Sequence, residues 1–203
     1  MAPRKYELGK REAAREATRE RIIAATFELH RVKGVVATSM QHIAERADVA
    51  LRTVYNHYPT IDDLVQGCGR KVIALLEPPT PAIFDGLITL EARLRVMVDA
   101  LFAMYERGGD YIGLARREQV KVRSLAPFVE RDANLRTGLA REALRPFATC
   151  ERTIRQVAGL TDFYVWKALT QQEMTTHQAA DVVLRSLMAL VAPDGVGKKG
   201  TRR

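Results

Sequence analysis

Apolar and polar positions follow a helical period along most of the chain. Ile22, Ile23, Phe27 and His30 recur at helical spacing and run up to Gly34, which marks the end of a first helix. Thr38 or Ser39 is suited to cap a second helix through about Arg46, with Asp48 at a left-handed turn position. A third, short helix is predicted from about Ala50 to His57. Pro59-Thr60 interrupts the pattern, and Thr60 then caps a longer helix with Asp62 and Asp63 near its positive end. Pro78-Pro79-Thr80-Pro81 cannot continue a helix. Beyond it the pattern predicts helices from about Leu87 to Glu106, ended by Gly108-Gly109, and from about Tyr111 to Val122. A long segment over 126–158 is interrupted at Pro146, and helices over 161–173 and 176–192 follow, with Thr161 and Thr175 or Thr176 as caps. Runs of period two are too short for strands; Val35-Val36 is typical. The predicted fold is all-α, with a three-helix head before a helical body.

Composition narrows the class. Apolar residues make up 47% and charged residues 28% of the 203, a globular balance that excludes wholesale disorder. No stretch approaches the roughly 18–20 apolar residues of a membrane span. The first 25 residues carry charges throughout and lack an apolar signal core, so the expected location is cytoplasmic, without membrane association. Cys68 and Cys150 are too few for a disulfide framework or a four-thiolate metal site and are expected to be buried thiols.

Charge is distributed unevenly. Residues 1–60 hold 11 basic and 7 acidic side chains, residues 61–197 hold 17 of each, and 198–203 hold four basic ones. A net charge of +8 split between the two ends fits a polyanion-binding head on a neutral body. The tail from 193 to 203 reads as disordered and basic, without a role in DNA contact.

The helices over 39–46 and 50–57 form a helix-turn-helix pattern. Ile43, Ala44, Ala47, Val49 and Val54 supply apolar or small positions between the two helices. Leu51, Arg52, Thr53, Tyr55 and Asn56 then lie mainly outside the shared core. A helix presented this way fits the major groove of double-stranded DNA.

Residue identities sharpen the pattern. Ile22-Ile23-Ala24-Ala25, Leu29 and Gly34, then Ala37-Thr38-Ser39-Met40-Gln41, Ile43-Ala44, Ala47-Asp48-Val49 and Thr53-Val54-Tyr55 with His57-Tyr58-Pro59 are collinear and ungapped over 20–65. This stretch resembles the TetR family of bacterial transcriptional regulators. The resemblance implies a DNA-binding head over 1–60, a helical effector-binding and dimerisation domain over 61–192, and a regulator that is released from a palindromic operator by a ligand. It assigns Thr38 and Ser39 to the DNA backbone, Gln41 to a base or phosphate, and Arg52 and Thr53 to base reading, with Asn56 on the same helix. It assigns Tyr55 and His57 to phosphates and Tyr58 to the core of the head. Two positions depart from the family pattern. Ile61 replaces a phosphate-contacting lysine, a loss that Arg4, Lys5, Lys10 or Arg11 would have to compensate. His30 replaces a phenylalanine and is expected in the core with one nitrogen satisfied.

The last two helices carry enough apolar residues, among them Phe163, Trp166, Leu169, Val182, Val183, Leu187 and Leu190, to cover more than one face. This predicts a homodimer through those helices, which one short recognition helix also needs in order to read enough base pairs. The family resemblance further implies a pocket for an unknown small-molecule effector. Met97, Tyr105, Tyr111, Phe128 and Trp166 are candidates to line it, with Arg116, Glu118 or Gln119 as polar contacts, although a core role is open for each. His42 and Glu45 lie at helical spacing but lack a third metal ligand and read as a solvated face. Phosphate-binding loops, dinucleotide fingerprints and nucleophile elbows are absent from the sequence, so neither catalysis nor a cofactor is expected. An effector-independent DNA-binding regulator, and a helical enzyme or interaction module without DNA binding, remain alternatives.

Overall fold

The computed structural model describes residues 4–147 and 150–191, and the tail expected over 193–203 lies outside the described residues. Among the described residues the regular elements are helices: α1 Arg4–Lys33, α2 Met40–Ala47, α3 Leu51–His57, α4 Ile61–Leu76, α5 Leu90–Glu118, α6 Ala126–Leu144, α7 Glu151–Leu160, α8 Phe163–Thr170 and α9 Thr176–Val191. Short 3-10 turns occupy Pro81–Phe84, Arg123–Leu125 and Arg145–Phe147.

Helix α1 is longer than its apolar periodicity indicates. Its first half has almost no apolar stripe, yet Ala13, Ala14 and Ala17 favour the helix, as does the three-residue spacing of Glu12 to Arg15 and Glu16 to Arg19. The basic extension is therefore helical from Arg4 onward.

The expected break at Gly108-Gly109 is a kink. Gly108 alone leaves helical geometry, with φ −142° and ψ 24°, and α5 runs on to Glu118. Pro146 does end a helix, inside the 3-10 turn that follows α6. Thr161 is not the cap of α8. Asp162 takes that role by accepting the Tyr164 amide at 2.8 Å, while the buried Thr161 hydroxyl donates to the Val157 carbonyl at 3.0 Å at the end of α7. At α9, Thr175 and Gln178 form the cap, each side chain accepting the other's backbone amide.

The chain divides into two compact units, each built from two segments: Met1–Glu77 with Gly108–Arg131, and Pro78–Arg107 with Asp132–Arg203. These are not the consecutive spans 1–60 and 61–192 of the sequence reading. Packing explains the difference. Leu64 of α4 joins the core made by Ile22, Ile23, Met40, Ile43, Ala44, Ala47, Val54 and Tyr58. Val65 joins Leu114 and Leu125 around Val35 in a second cluster of the same unit. Ile61 touches both clusters, so this departure from the family pattern is an apolar wedge.

In the other unit, α5 buries Leu94, Met97, Val98, Leu101, Phe102, Met104 and Tyr105, with Leu139, Val157, Phe163, Val183 and Leu187 from the later helices also buried. Two arginines satisfy carbonyls at helix ends there. Arg93 donates to Ala143, Phe84, Leu87 and Glu142 oxygens at 2.8–3.2 Å. Arg136 donates to the Ala158 carbonyl at 2.8 Å and pairs with Asp162 at 3.0 Å. Arg93 is buried and Arg136 half-buried, and their bonds to carbonyl oxygens tie helix ends together.

Candidate nucleic-acid interface

Helix α2 begins at a reciprocal cap. The Ser39 hydroxyl accepts the His42 amide at 3.1 Å, and His42 Nδ1 accepts the Ser39 amide at 3.3 Å. Because Nδ1 is an acceptor here, a neutral His42 carries its proton on Nε2. Thr38, one residue earlier, is placed differently from a hydroxyl aimed at a phosphate. It is buried, and its Oγ1 donates to the Gly34 carbonyl at 2.6 Å, which holds the turn before α2. Ser39 and Gln41 are exposed, and the Gln41 amide donates to Glu45 Oε1 at 2.8 Å one turn along. Glu45 thus faces Gln41, and His42 is half-buried in the cap rather than on an open solvated face.

Asp48 turns the chain between α2 and α3 with φ 52° and ψ 56°, the left-handed position expected of it. The Val49 amide returns to the Ala44 carbonyl at 3.1 Å and closes the corner. Helix α3 is anchored from one side only. Val54 is its single fully buried residue, and Tyr58 at its end is 4% exposed. The Tyr58 hydroxyl accepts Arg19 Nε at 3.0 Å, and the guanidinium carbon lies 5.7 Å from the ring centre, so α1 fixes the end of α3. On the opposite side Arg52, Tyr55 and Asn56 are exposed, Tyr55 by 47%, while Thr53 and His57 are half-buried. Residues 52, 55 and 56 are three and four apart and share one helix face. Lys10 and Arg11 are exposed on α1; the side chains of Arg4 and Lys5 lie outside the described residues.

The remaining polar groups of this unit have structural surroundings. His30 is 3% exposed, its Nε2 has no hydrogen-bond partner, and burial lowers its pKa to about 4 against the opposing pull of Glu118. Burial likewise pushes the Cys68 thiol up to about 12, as expected of an inert core cysteine. Cys150 is exposed, contrary to the buried thiol expected; it is the extended residue immediately before α7.

The candidate pocket residues fall in both units. Met97, Tyr105 and Trp166 belong to the unit built around the first part of α5. Tyr105 is fully buried, donates to the Thr161 carbonyl at 3.0 Å and has the Phe163 and Trp166 rings 5.6 and 6.0 Å away. Trp166 Nε1 donates to the Thr176 hydroxyl at 3.3 Å. Tyr111, Arg116, Gln119 and Phe128 belong to the head unit. Tyr111 stacks on Phe27 with ring centres 4.5 Å apart and donates to the Phe27 carbonyl at 3.2 Å; burial raises its phenol pKa. Gln119 donates to the Arg116 carbonyl of its own helix at 3.3 Å. Phe128 lies against Gly69, where a Cβ would come within 2.3 Å of its ring. Glu118, grouped with Arg116 and Gln119 in the sequence as a polar lining residue, lies instead at the turn before α2, accepting the Val35 and Val36 amides.

Comparison with known proteins agrees with this arrangement. Residues 22–68 match the sequence model of the bacterial regulatory proteins of the tetR family. The chain is 26% identical over 188 residues to the HTH-type transcriptional repressor KstR of Rhodococcus jostii, covering 87% of this chain and 74% of that protein. A 66-residue stretch is 44% identical to the HTH-type transcriptional repressor KstR of Mycolicibacterium smegmatis, covering 32% of this chain and 31% of that one. Among solved structures, a TetR-like transcriptional regulator from Rhodococcus sp. has the same fold with a TM-score of 0.60 at 19% identity, covering 87% of this chain and 97% of that one. The multidrug binding protein EbrR, solved with imidazole, has a TM-score of 0.59 at 20% identity, covering 88% and 92%. No described helix is long and apolar enough to cross a membrane. Residues 22–68 thus form a helix-turn-helix head of the tetR-family type, on a chain that shares the all-helical fold of TetR-like regulators.

Proposed function

We propose that this protein is a sequence-specific transcriptional repressor that binds a palindromic operator as a homodimer and leaves it when a small molecule binds the helical body. The observation that carries the reading is the one-sided anchoring of α3. Val54 and Tyr58 are buried on one side, while Arg52, Tyr55 and Asn56 are exposed on the other. In the proposed interface Arg52 reads guanine through O6 and N7, with Thr53 and Asn56 beside it. Ser39, Gln41, Tyr55 and His57 hold the backbone, which fixes register. Thr38 acts from behind through the turn that presents Ser39.

The dimer is proposed through α8 and α9. Ala179, Ala180, Val183, Leu184 and Leu187 are buried within the chain, and Val182, Met188 and Leu190 are left half-buried, with Tyr164 on α8 51% exposed. An effector held among Met97, Tyr105 and Trp166 fits their aromatic, apolar character, and EbrR provides the precedent of a drug-binding protein with this fold. Release requires that the effector prefer the state that does not bind DNA.

Selection from a random-sequence duplex library tests the central part. The full chain is expected to enrich an inverted repeat whose half-sites lie about one helical turn, ~34–36 Å, apart. A library that shows no enrichment after repeated rounds would refute sequence-specific DNA binding.

A further inference from the structure

The turn between α1 and α2 is held by a side chain more than 80 positions away in sequence. Both the Val35 amide, at 2.8 Å, and the Val36 amide, at 2.9 Å, donate to the same oxygen of Glu118, Oε2. The carboxylate is 14% exposed. Two amides converging on an ionised oxygen make charge-assisted bonds, about twice as strong as their neutral equivalents.

The turn is shaped to admit that carboxylate. Gly34 has φ +87°, a conformation that L side chains rarely adopt. A Cβ at Gly34 would come 2.3 Å from Glu118 Oε1, so the positive φ favours glycine there and a side chain would displace the carboxylate. The Gly34 carbonyl, in turn, accepts the Thr38 hydroxyl at 2.6 Å, and Ser39, the next residue, caps α2. The chain of contacts therefore runs from Glu118 through residues 34–36 and Thr38 to the first residue of the helix-turn-helix.

A second hold lies just beyond. The Ser124 hydroxyl donates to Asp62 Oδ1 at 2.6 Å in the first turn of α4, and Leu125 is buried with Val35, Val65 and Leu114. Residues 118–125 thus grip the head at the start of α2 and at the start of α4. Glu118 ends the stretch of α5 that follows the kink at Gly108.

We propose that Glu118 is a positioning residue for DNA recognition, its carboxylate setting the α1–α2 turn from which the helix-turn-helix is presented. It touches no DNA itself. The proposal rests on the DNA-binding reading above and deepens it, because an acid outside the helix-turn-helix sets the turn that presents it.

The test uses the full chain, an inverted-repeat duplex recovered by selection and a scrambled duplex of equal length. Glu118→Ala is expected to lower affinity for the recovered duplex about tenfold or more, since two hydrogen bonds to a charged group are lost. Binding to the scrambled duplex is expected to weaken much less, because only the Ser39 contact presented by this turn is displaced and the other phosphate contacts remain. Amide exchange at Val35 and Val36 is expected to quicken in step. Glu118→Gln keeps an acceptor oxygen and is expected to recover most of the affinity; it also serves as the test if the alanine variant does not fold. The proposal is overturned if the alanine variant exchanges faster yet binds the recovered duplex as the parent does, or if both duplexes weaken equally. It is also overturned if the glutamine variant is as defective as the alanine one. Failure of the unsubstituted chain to enrich any duplex would instead bring down the DNA-binding reading, and this proposal with it.

Discussion

Arg52 and His30 lie within the same compact unit but in opposite surroundings, and the physics of each gives a separate expectation. Arg52 is exposed on α3. In Arg52→Ala, loss of one bidentate contact is expected to cost about 1–3 kcal/mol of operator binding and to relax preference at one base pair of each half-site. Competition titrations with single-base-pair variants of the recovered duplex measure both effects. His30 is buried with an unpartnered Nε2, and its pKa of about 4 lies below the ordinary 6.5 of a free imidazole. Between these values the unfolded chain takes up the proton more readily than the folded one. The stability supplied by the neutral ring is therefore complete above pH 6.5 and is lost as pH falls towards 4. The displacement corresponds to about 3 kcal/mol. In His30→Phe that contribution to the pH dependence of urea unfolding is expected to vanish, leaving the curve flatter between pH 6.5 and 4.

At the level of elements, the helix-turn-helix was legible because its determinants are local. Apolar residues at helical spacing, Ser39 before α2, Asp48 in the left-handed corner and Thr60 before α4 all take the conformations their chemistry favours. Ile43 is fully buried between the helices, and Ile43→Ala is expected to destabilise the protein by about 2–5 kcal/mol. Ser39→Ala removes one half of the cap and is expected to cost about 1 kcal/mol. Chemical denaturation of the two variants checks the ranking. The first half of α1 escaped the periodicity because its helix depends on alanine and charge spacing, which leave no apolar stripe. Thr161 was the expected cap of α8, and a local pattern cannot say which carbonyls the threonine hydroxyl will reach. Glu118 was wholly illegible as a head residue. Its partners are backbone amides 82 and 83 positions earlier, and such a pairing leaves no mark on spacing. The candidate pocket shows the same limit, since aromatic residues at helical spacing satisfy a packed core as readily as a ligand.

At the scale of the whole molecule, the charge distribution acquires a structural meaning. The four excess positive charges of residues 1–60 lie on a segment that includes α1, α2 and α3, while residues 61–197 balance to zero. Affinity for DNA should therefore fall steeply with salt, by about 0.9 in logarithmic slope for each phosphate neutralised. The proposed assembly through α8 and α9 predicts a dimer in sedimentation experiments, and an arginine at the exposed Ala189 of α9 is expected to shift the protein towards monomer and to abolish half-site cooperativity. The compact units cut across the simple order of head then body, because Leu64 of α4 joins the core that supports the recognition helix and Leu114, near the end of α5, joins a second cluster of the same unit.

The most direct test of the central claim is a fluorescence anisotropy titration of the recovered inverted repeat with the unsubstituted chain and with the double variant Arg52→Ala, Tyr55→Ala. Both side chains are exposed and outside the core, so the variant should keep its helical spectrum, thermal midpoint and oligomeric state. The account predicts saturable, salt-dependent binding by the parent and none above the scrambled-duplex background by the variant. A folded variant that binds the repeat as tightly as the parent would contradict it.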